Sequence, residues 1–209
     1  MTYPHAAVLT GDLVSSRDSA SEEVTRAMTV LQTTAQDIGQ DAHLPATFER
    51  HRGDGWQIFL PKAAPALRAA LRVIAALTAA ETGLTTRISI GLGDAQVDGP
   101  LASASGTAFV TAGDGLDAMD RGTRLSLSGT SDTLLPAMVG LLDWQSQRWT
   151  PAQAEALFEA LRAQNPTQAE IADKLGVKRQ AIQQRLAATG LPALRAALDA
   201  FETTTGHRP

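Results

Sequence analysis

The sequence predicts an α+β fold, in which a sheet with helices on one face is followed by an all-α segment. Through about residue 130, short runs of alternating apolar residues are separated by turn residues and by stretches with helical spacing. Beyond that point only helical spacing remains. The predicted order, strand-helix-strand-strand-helix-strand, is that of a ferredoxin-like sheet.

A β-hairpin is the clearest local signal in the first part. Its strands are predicted at Phe48–Arg52 and Trp56–Leu60, joined by Gly53, Asp54 and Gly55. Asp-Gly favours the positive φ angles that a tight hairpin requires. Glycine on both sides lets a ligand approach the backbone closely, although a hairpin turn of this kind needs no ligand to form.

A second acidic turn lies upstream. The predicted strand Ala6–Thr10 runs into Gly11 and Asp12, followed by the small polar loop 13–16. A carboxylate at a strand end, followed by a polar loop and a helix, suits a hydrated divalent cation and a phosphate. If this strand lies beside the hairpin, Asp12 and Asp54 converge on one metal ion. The alternative is that both are ordinary turn residues with water between them.

Periodicity places the other elements of this part. Three helices and two strands are predicted, at Arg17–Gln40, Pro61–Leu84, Gly106–Met119, Thr86–Leu92 and Thr123–Leu127.

The sequence predicts three further details of these elements. Ser19 and Glu22 fit a capping box at the start of the first helix. Arg68 and Arg72 are expected on a solvated face of the second helix. In the strand Thr86–Leu92, large residues alternate with smaller ones. The face with the large residues should pack against helices, and the other face should stay open.

Composition limits the possible functions. The 209 residues include no cysteine, which excludes disulfides, thiolate zinc sites and cysteine nucleophiles. No apolar run reaches membrane-spanning length and the N-terminus lacks a basic leader region, so a soluble cytoplasmic protein without a membrane segment is expected. Because the net charge is −4, any contact with DNA must come from a local basic patch.

The C-terminal part is predicted to contain a helix-turn-helix. A connecting helix, Thr133–Gln147, occupies the segment 131–148 between a first domain, 1–130, and a helical domain, 149–209. In that last domain Thr167 and Glu170 form a capping box, and Gly176 turns the chain between two amphipathic helices.

The second helix of this pair carries the predicted DNA contacts. Arginine and lysine suit phosphates or guanine, and glutamine can pair with adenine. The candidates are Lys178, Arg179, Gln180, Gln183 and Gln184. The alternative is a helical dimerisation module with a solvated polar face.

Three segments together resemble a known family. GDLVSS, RHRGDGWQIFL and RISIGLG look like the catalytic domain of class III nucleotide cyclases, over about residues 5–128. With the C-terminal segment, the whole chain resembles the SatD family, in which a cyclase-like domain precedes a helix-turn-helix.

The resemblance carries expectations about ligands and assembly. It implies Mg²⁺ or Mn²⁺ at Asp12 and Asp54, and a nucleoside triphosphate as partner. It also implies a homodimer, because cyclase sites form between two such domains. The residues expected to contact the nucleotide are Leu13, Ser15, Ser16, Arg50, Gly53 and Gly55.

One stretch departs from the cyclase pattern. Active cyclases have Asn and Arg on the helix after the fourth strand, whereas Val110 and Asp114 occupy those positions here. Loss of a cation near the transferred phosphate opposes catalysis. No catalytic residue is therefore assigned. The favoured function is a DNA-binding transcriptional regulator with a nucleotide- and metal-sensing domain, and the alternative is an active nucleotidyl cyclase or other triphosphate enzyme.

Overall fold

A computed structural model describes residues 1–16, 19–51 and 53–206, which form a five-stranded sheet and eight α-helices. The strands are β1 (Thr2–Val14), β2 (Thr47–Arg50), β3 (Gly55–Leu60), β4 (Thr85–Gln96) and β5 (Leu125–Ser128). The helices are α1 (Ser21–Ala42), α2 (Ala66–Ala79), α3 (Thr107–Asp117), α4 (Leu134–Ser146), α5 (Pro151–Ala160), α6 (Gln168–Leu175), α7 (Arg179–Ala188) and α8 (Leu191–Gly206). Arg17, Asp18 and Arg52 of the predicted elements lie outside the described residues.

The first four strands form a ferredoxin-like sheet, and the elements follow one another along the chain in the predicted order. The strand order of the whole sheet is β2-β3-β1-β4-β5, and β1 pairs antiparallel with both β3 and β4. The fifth strand pairs parallel to β4 and is reached through α3. β1 is the central strand, so its residues lie between the hairpin and β4.

Helices cover both faces of the sheet, so the prediction of helices on one face is wrong. Helices α1 and α2 share a core with the face that carries Ala7 and Leu9. Helix α3 packs on the opposite face, through Ala108 and Ala112. The reason is Gly91 in β4: a Cβ there would lie 2.3 Å from the Ala108 carbonyl oxygen. The small side of β4, expected to stay open, instead admits a helix backbone.

The start of α1 also differs from the prediction. The backbone amide of Ala20 donates to the Glu23 carboxylate at 3.0 Å, whereas the Ser19 hydroxyl donates to the Ser15 carbonyl oxygen. The predicted capping box of Ser19 and Glu22 is therefore wrong, and the cap lies one residue later.

Helix α2 lies between the sheet and the C-terminal helices, which changes the environment of its arginines. Arg72 is only 3% exposed and its guanidinium lies 4.6 Å from the ring centroid of Phe158 in α5. Arg68 pairs with Glu202 of α8 at 2.6 Å. The prediction of a solvated face for both arginines is wrong, because α5 and α8 cover it.

The C-terminal helices share their apolar core with the first part of the chain. Leu157 in α5 and Phe201 in α8 belong to the same buried cluster as Leu67 and Leu71 in α2. The division into domains 1–130, 131–148 and 149–209 remains a prediction. Helix α8 was not foreseen in the sequence.

Helices α6 and α7 are joined by a short turn. The Thr167 hydroxyl accepts from the Glu170 amide at 3.3 Å, and the Glu170 carboxylate accepts from the Thr167 amide at 2.7 Å, as the predicted capping box requires. This bond from the Thr167 amide lowers the pKa of Glu170. Gly176 adopts a φ of 66°, and Ile171 and Ile182 pack in the core.

Among the described residues, no helix combines the length and apolar character needed to cross a membrane.

Candidate functional site

A cavity of about 450 Å³ opens beside the end of β1. Its wall is formed by β1 and the loop after it, the hairpin, β4, and the loop before β5. The residues that line it are Asp12, Leu13, Val14, Ser15, Ser16, Asp54, Arg87, Asp120, Arg121, Gly122, Thr123 and Arg124. The two aspartates that the sequence singled out are therefore brought to one cavity.

Asp12 already has a charged partner. It lies inside β1, directly opposite Arg87 of β4 in the strand register. Arg87 donates through Nε to one carboxylate oxygen at 2.9 Å and through Nη2 to the other. This hydrogen bond raises the pKa of Arg87. A bidentate pair of this kind fixes the orientation of both groups.

Asp54 ties the hairpin to the loop after β1. Its carboxylate accepts from the Ser16 hydroxyl, and its carbonyl oxygen accepts from the Leu13 amide at 3.2 Å. Ser15 is exposed and has a φ of 66°, which is uncommon for a residue other than glycine. A backbone held in this region often marks a ligand-binding loop.

These contacts occupy three of the four carboxylate oxygens that the predicted metal site would use. Both oxygens of Asp12 are engaged by Arg87, and one oxygen of Asp54 is engaged by Ser16. Within the described ranges, no group of three or more acidic or histidine side chains is placed to hold a metal ion. As arranged, the residues do not fit a preformed divalent cation site, because a guanidinium supplies the charge that the two carboxylates need. Binding of Mg²⁺ or Mn²⁺ here remains a prediction.

Two arginines of the cavity were not identified in the sequence. Arg121 and Arg124 lie in the loop between α3 and β5, and neither guanidinium has a hydrogen-bonding or ionic partner among the described residues. Arg124 is held by its backbone amide, which donates to the buried Asp143 at 3.2 Å. Both arginines are far from Asp12 in the sequence. They come close to it only because β5 pairs parallel to β4, which the sequence does not reveal.

Three other predicted nucleotide contacts lie outside the cavity wall. Arg50 folds back over the hairpin turn, donating through Nη2 to the Gly53 carbonyl oxygen at 3.0 Å. Gly55 pairs with Asp12 in the strand register, and Gly53 has a φ of 79° at the turn. Their role in binding a nucleotide stays a prediction.

Helix α3 offers no cation to this site. Val110 is 60% exposed and Asp114 is also exposed, while Ala108 and Ala112 face the sheet. The stretch 106–120 contains neither arginine nor lysine.

The candidate DNA contacts lie on or beside α7. All five are exposed, and their side chains make no hydrogen bond or ion pair with the part of the chain that the structure describes: Lys178, Arg179, Gln180, Gln183 and Gln184. Arg185 on the same helix differs, because it pairs with Glu155 of α5 at 3.0 Å.

Comparison with known proteins gives likenesses of fold. No family model matches the chain, and no curated protein matches it. Among solved structures, it is similar to the catalytic core of a rhodopsin-guanylyl cyclase, with 15% identity over 61% of this chain and 78% of that one, at a TM-score of 0.45. It is also similar to the adenylyl cyclase CyaB from P. aeruginosa, with 14% identity over 61% of this chain and 78% of that one, at a TM-score of 0.44. A bacterial light-regulated adenylyl cyclase shares 13% identity with it over 89% of this chain and 100% of that one, at a TM-score of 0.43. These structures are of the kind that the sequence resemblance named, but similarity at this level establishes no activity.

Proposed function

We propose that the chain is a DNA-binding transcriptional regulator of the SatD type, whose sheet cavity binds a phosphorylated ligand, such as a nucleoside triphosphate, without cyclising it. The observation that carries the proposal is the row of exposed polar side chains on and beside α7. Two cations and three amides lie on α7 or at its N-cap, just after a short turn, and their side chains bond to no group among the residues that the structure describes.

The spacing of this row suits contact with DNA. Arg179 and Gln183 are four residues apart, as are Gln180 and Gln184, so at about 3.6 residues per turn the four lie on one side of α7. Free arginine and glutamine side chains are the groups that read base edges in the major groove. The helix is anchored in the core by Ile182 and Leu186, which are both buried. The recognition surface is therefore rigid while its polar groups remain available.

Replacing Arg179 with alanine is expected to weaken DNA binding with little change in stability. Loss of a phosphate contact lowers the slope of log affinity against log salt by about one unit, whereas loss of a base contact relaxes sequence preference. Fluorescence anisotropy of labelled duplexes across a salt series measures both. The matched control is Lys62→Ala, which removes the same charge from an exposed residue outside α7. Equal losses in the two variants, or no affinity of the wild type at low salt, would favour the dimerisation module.

The cavity supports binding of a phosphorylated ligand through specific bonds. The guanidinium groups of Arg121 and Arg124 have no partner within the described part of the chain, and Ser15, with its left-handed backbone, lines the same cavity. The cavity wall holds three arginines and three aspartates, so its formal charges sum to zero. Affinity must come from charge-assisted hydrogen bonds, for which arginine is the preferred donor to phosphate.

Arg121→Gln is expected to weaken binding of ATP or GTP by about tenfold or more, because one charge-assisted bond contributes about 1.5–3 kcal/mol. Calorimetric titration of the wild type and of Lys62→Gln, which removes an exposed cation elsewhere, provides the comparison. Equal affinities in all three proteins would show that the cavity does not take the phosphates.

The cation is tested in the same titration by adding Mn²⁺. If the cation displaces Arg87 from Asp12, triphosphate binding will depend on Mn²⁺ in the wild type and lose that dependence in Asp54→Asn. If Arg87 stays bound to Asp12, added Mn²⁺ will not change triphosphate binding in the wild type or in Asp54→Asn.

A second candidate function is an enzyme acting on the triphosphate. The specific observation in its favour is that Arg121 and Arg124 place cations beside Asp12 and Asp54, although α3 has none. Incubation with ATP or GTP and Mn²⁺, followed by analysis of products, separates the two. We expect binding without turnover, and a product that disappears in Asp54→Asn would establish the enzyme.

A further inference from the structure

The outer side of α4 carries an apolar stripe, defined by Leu134, Ala137, Leu141 and Trp144. The three large members are 76%, 70% and 60% exposed, and Ala137 is also exposed. The inner side of the same helix is packed in the core through Leu135, Val139 and Leu142. A helix that is apolar on all sides is normally buried on all sides.

The stripe has the spacing of a helix-pairing seam. Its members follow one another at intervals of three, four and three residues, as do the a and d positions of a heptad. From 133 to 147 the only charged residue is Asp143, which is buried and accepts from the backbone amide of Arg124. An uncharged face suits an apolar partner rather than nucleic acid or an acidic peptide.

We propose that this stripe pairs with the same stripe of a second copy of the chain, with the two α4 helices antiparallel about a two-fold axis between Gly140 and Leu141. That register sets Trp144 of one copy opposite Ala137 of the other, and Leu141 opposite Gly140. Space for the large side chains exists, because a Cβ added at Gly140 would meet nothing within 4 Å.

Charge at the ends of the helix gives the pair its direction. Arg148 lies over the Trp144 ring, 3.7 Å from its centroid, just beyond the C-terminus of α4. Asp132 lies just before the N-terminus and caps it, accepting from the Leu134 amide at 2.7 Å. Antiparallel pairing brings Arg148 of each copy beside Asp132 of the other, whereas parallel pairing would bring like charges together. The two ends of α4 are therefore complementary to each other in charge.

The pair should be weak and sensitive to concentration. Four side chains along about 15 Å of helix cover less than the roughly 800 Å² per partner of a standard interface. This pairing is independent of the proposed ligand and DNA contacts, since neither the cavity nor α7 contributes to the stripe. Two-fold pairing also suits a protein that reads paired half-sites.

Sedimentation equilibrium over a micromolar concentration range should show the mass rising from the monomer value of 22.0 kDa toward twice that. Leu141→Glu is expected to raise the dissociation constant about tenfold or more, because like charges then face each other across the axis. Val110→Glu is the matched control, since it adds the same charge at a 60% exposed apolar residue outside the stripe. Equal effects of the two substitutions would overturn the proposal.

Cross-linking checks the register without relying on weakened binding. Because the chain contains no cysteine, Leu141→Cys introduces a single reactive group. A short bismaleimide should convert this variant to a covalent dimer while Val110→Cys stays monomeric. A wild type that is monomeric at every concentration, a stripe that binds lipid vesicles but not itself, or cross-linking at both positions alike would each contradict the pairing.

Discussion

Replacing Asp41 with alanine is expected to lower the free energy of unfolding by about 3–5 kcal/mol, because it leaves a buried arginine without its counter-charge. Asp41 and Arg72 are both 3% exposed, and Arg72 Nη1 donates to the Asp41 carboxylate at 3.1 Å. The same carboxylate accepts from Arg162 Nε at 3.2 Å and from the Ala163 amide at 2.6 Å. One side chain therefore joins α1, α2 and the end of α5.

Most of the expected loss of stability comes from Arg72, which would remain buried without its counter-charge. Burial lowers the pKa of its guanidinium, and the charge of Asp41 is the largest influence in the opposite direction. Without Asp41 the cation stays buried and the Ala163 amide loses its acceptor. Nearby, Glu159 of α5 pairs with Lys174 of α6 at 2.7 Å.

Thermal and urea unfolding measure the effect. For a chain of this size, each kcal/mol corresponds to about 2–4 °C in Tm, so a fall of roughly 6–20 °C is expected. Asp199→Ala is the control, because Asp199 is 75% exposed and lies 3.9 Å from Arg68. Such an exposed pair contributes about 0–1 kcal/mol. Similar losses in the two variants would show that the buried network stabilises the protein no more than a surface pair.

The second large effect concerns the contact between α3 and β4. Gly91→Ala is expected to destabilise the fold by about 1–3 kcal/mol or more through overpacking. The new Cβ would lie 2.3 Å from the Ala108 carbonyl oxygen and 2.4 Å from the Ala112 amide nitrogen. Both atoms belong to the helix backbone, so α3 itself must move away from the sheet.

Gly113→Ala on α3 is the matched control and should act in the opposite direction. A Cβ there meets nothing within 4 Å, and alanine is favoured over glycine in a helix interior by roughly 0.5–1 kcal/mol. Urea unfolding of the two variants should give free-energy changes of opposite sign. A neutral result at Gly91 would mean that α3 is not seated directly on β4.

Much of the sheet could be predicted from the sequence, because alternation is a local property. The hairpin around Asp54 and the large side of β4, with Ile88 and Ile90 in the core, follow directly from spacing. The position of α3 could not be predicted in this way, because Gly91 belongs to the face of β4 that was expected to stay uncovered. A glycine facing outward signals close approach of another backbone as well as open space.

The arginines show the limit of reasoning from a single element. Arg72 has the spacing of a surface residue on α2, and its burial depends on α5, which begins much later in the chain. Likewise, the sequence predicted that Asp12 and Asp54 lie close together. It did not predict the strand register that places Arg87 opposite Asp12. Arg121 joins the same cavity only because β5 pairs with β4.

Selection from a pool of random duplexes tests most directly whether the chain reads DNA through α7. The wild type should enrich a short sequence in two copies, with centres about 10–10.5 bp apart or a multiple of that. A variant carrying Arg179→Ala and Gln183→Ala should enrich no common sequence while remaining folded. Enrichment of the same site by both proteins, or of none by the wild type, would contradict the proposed function.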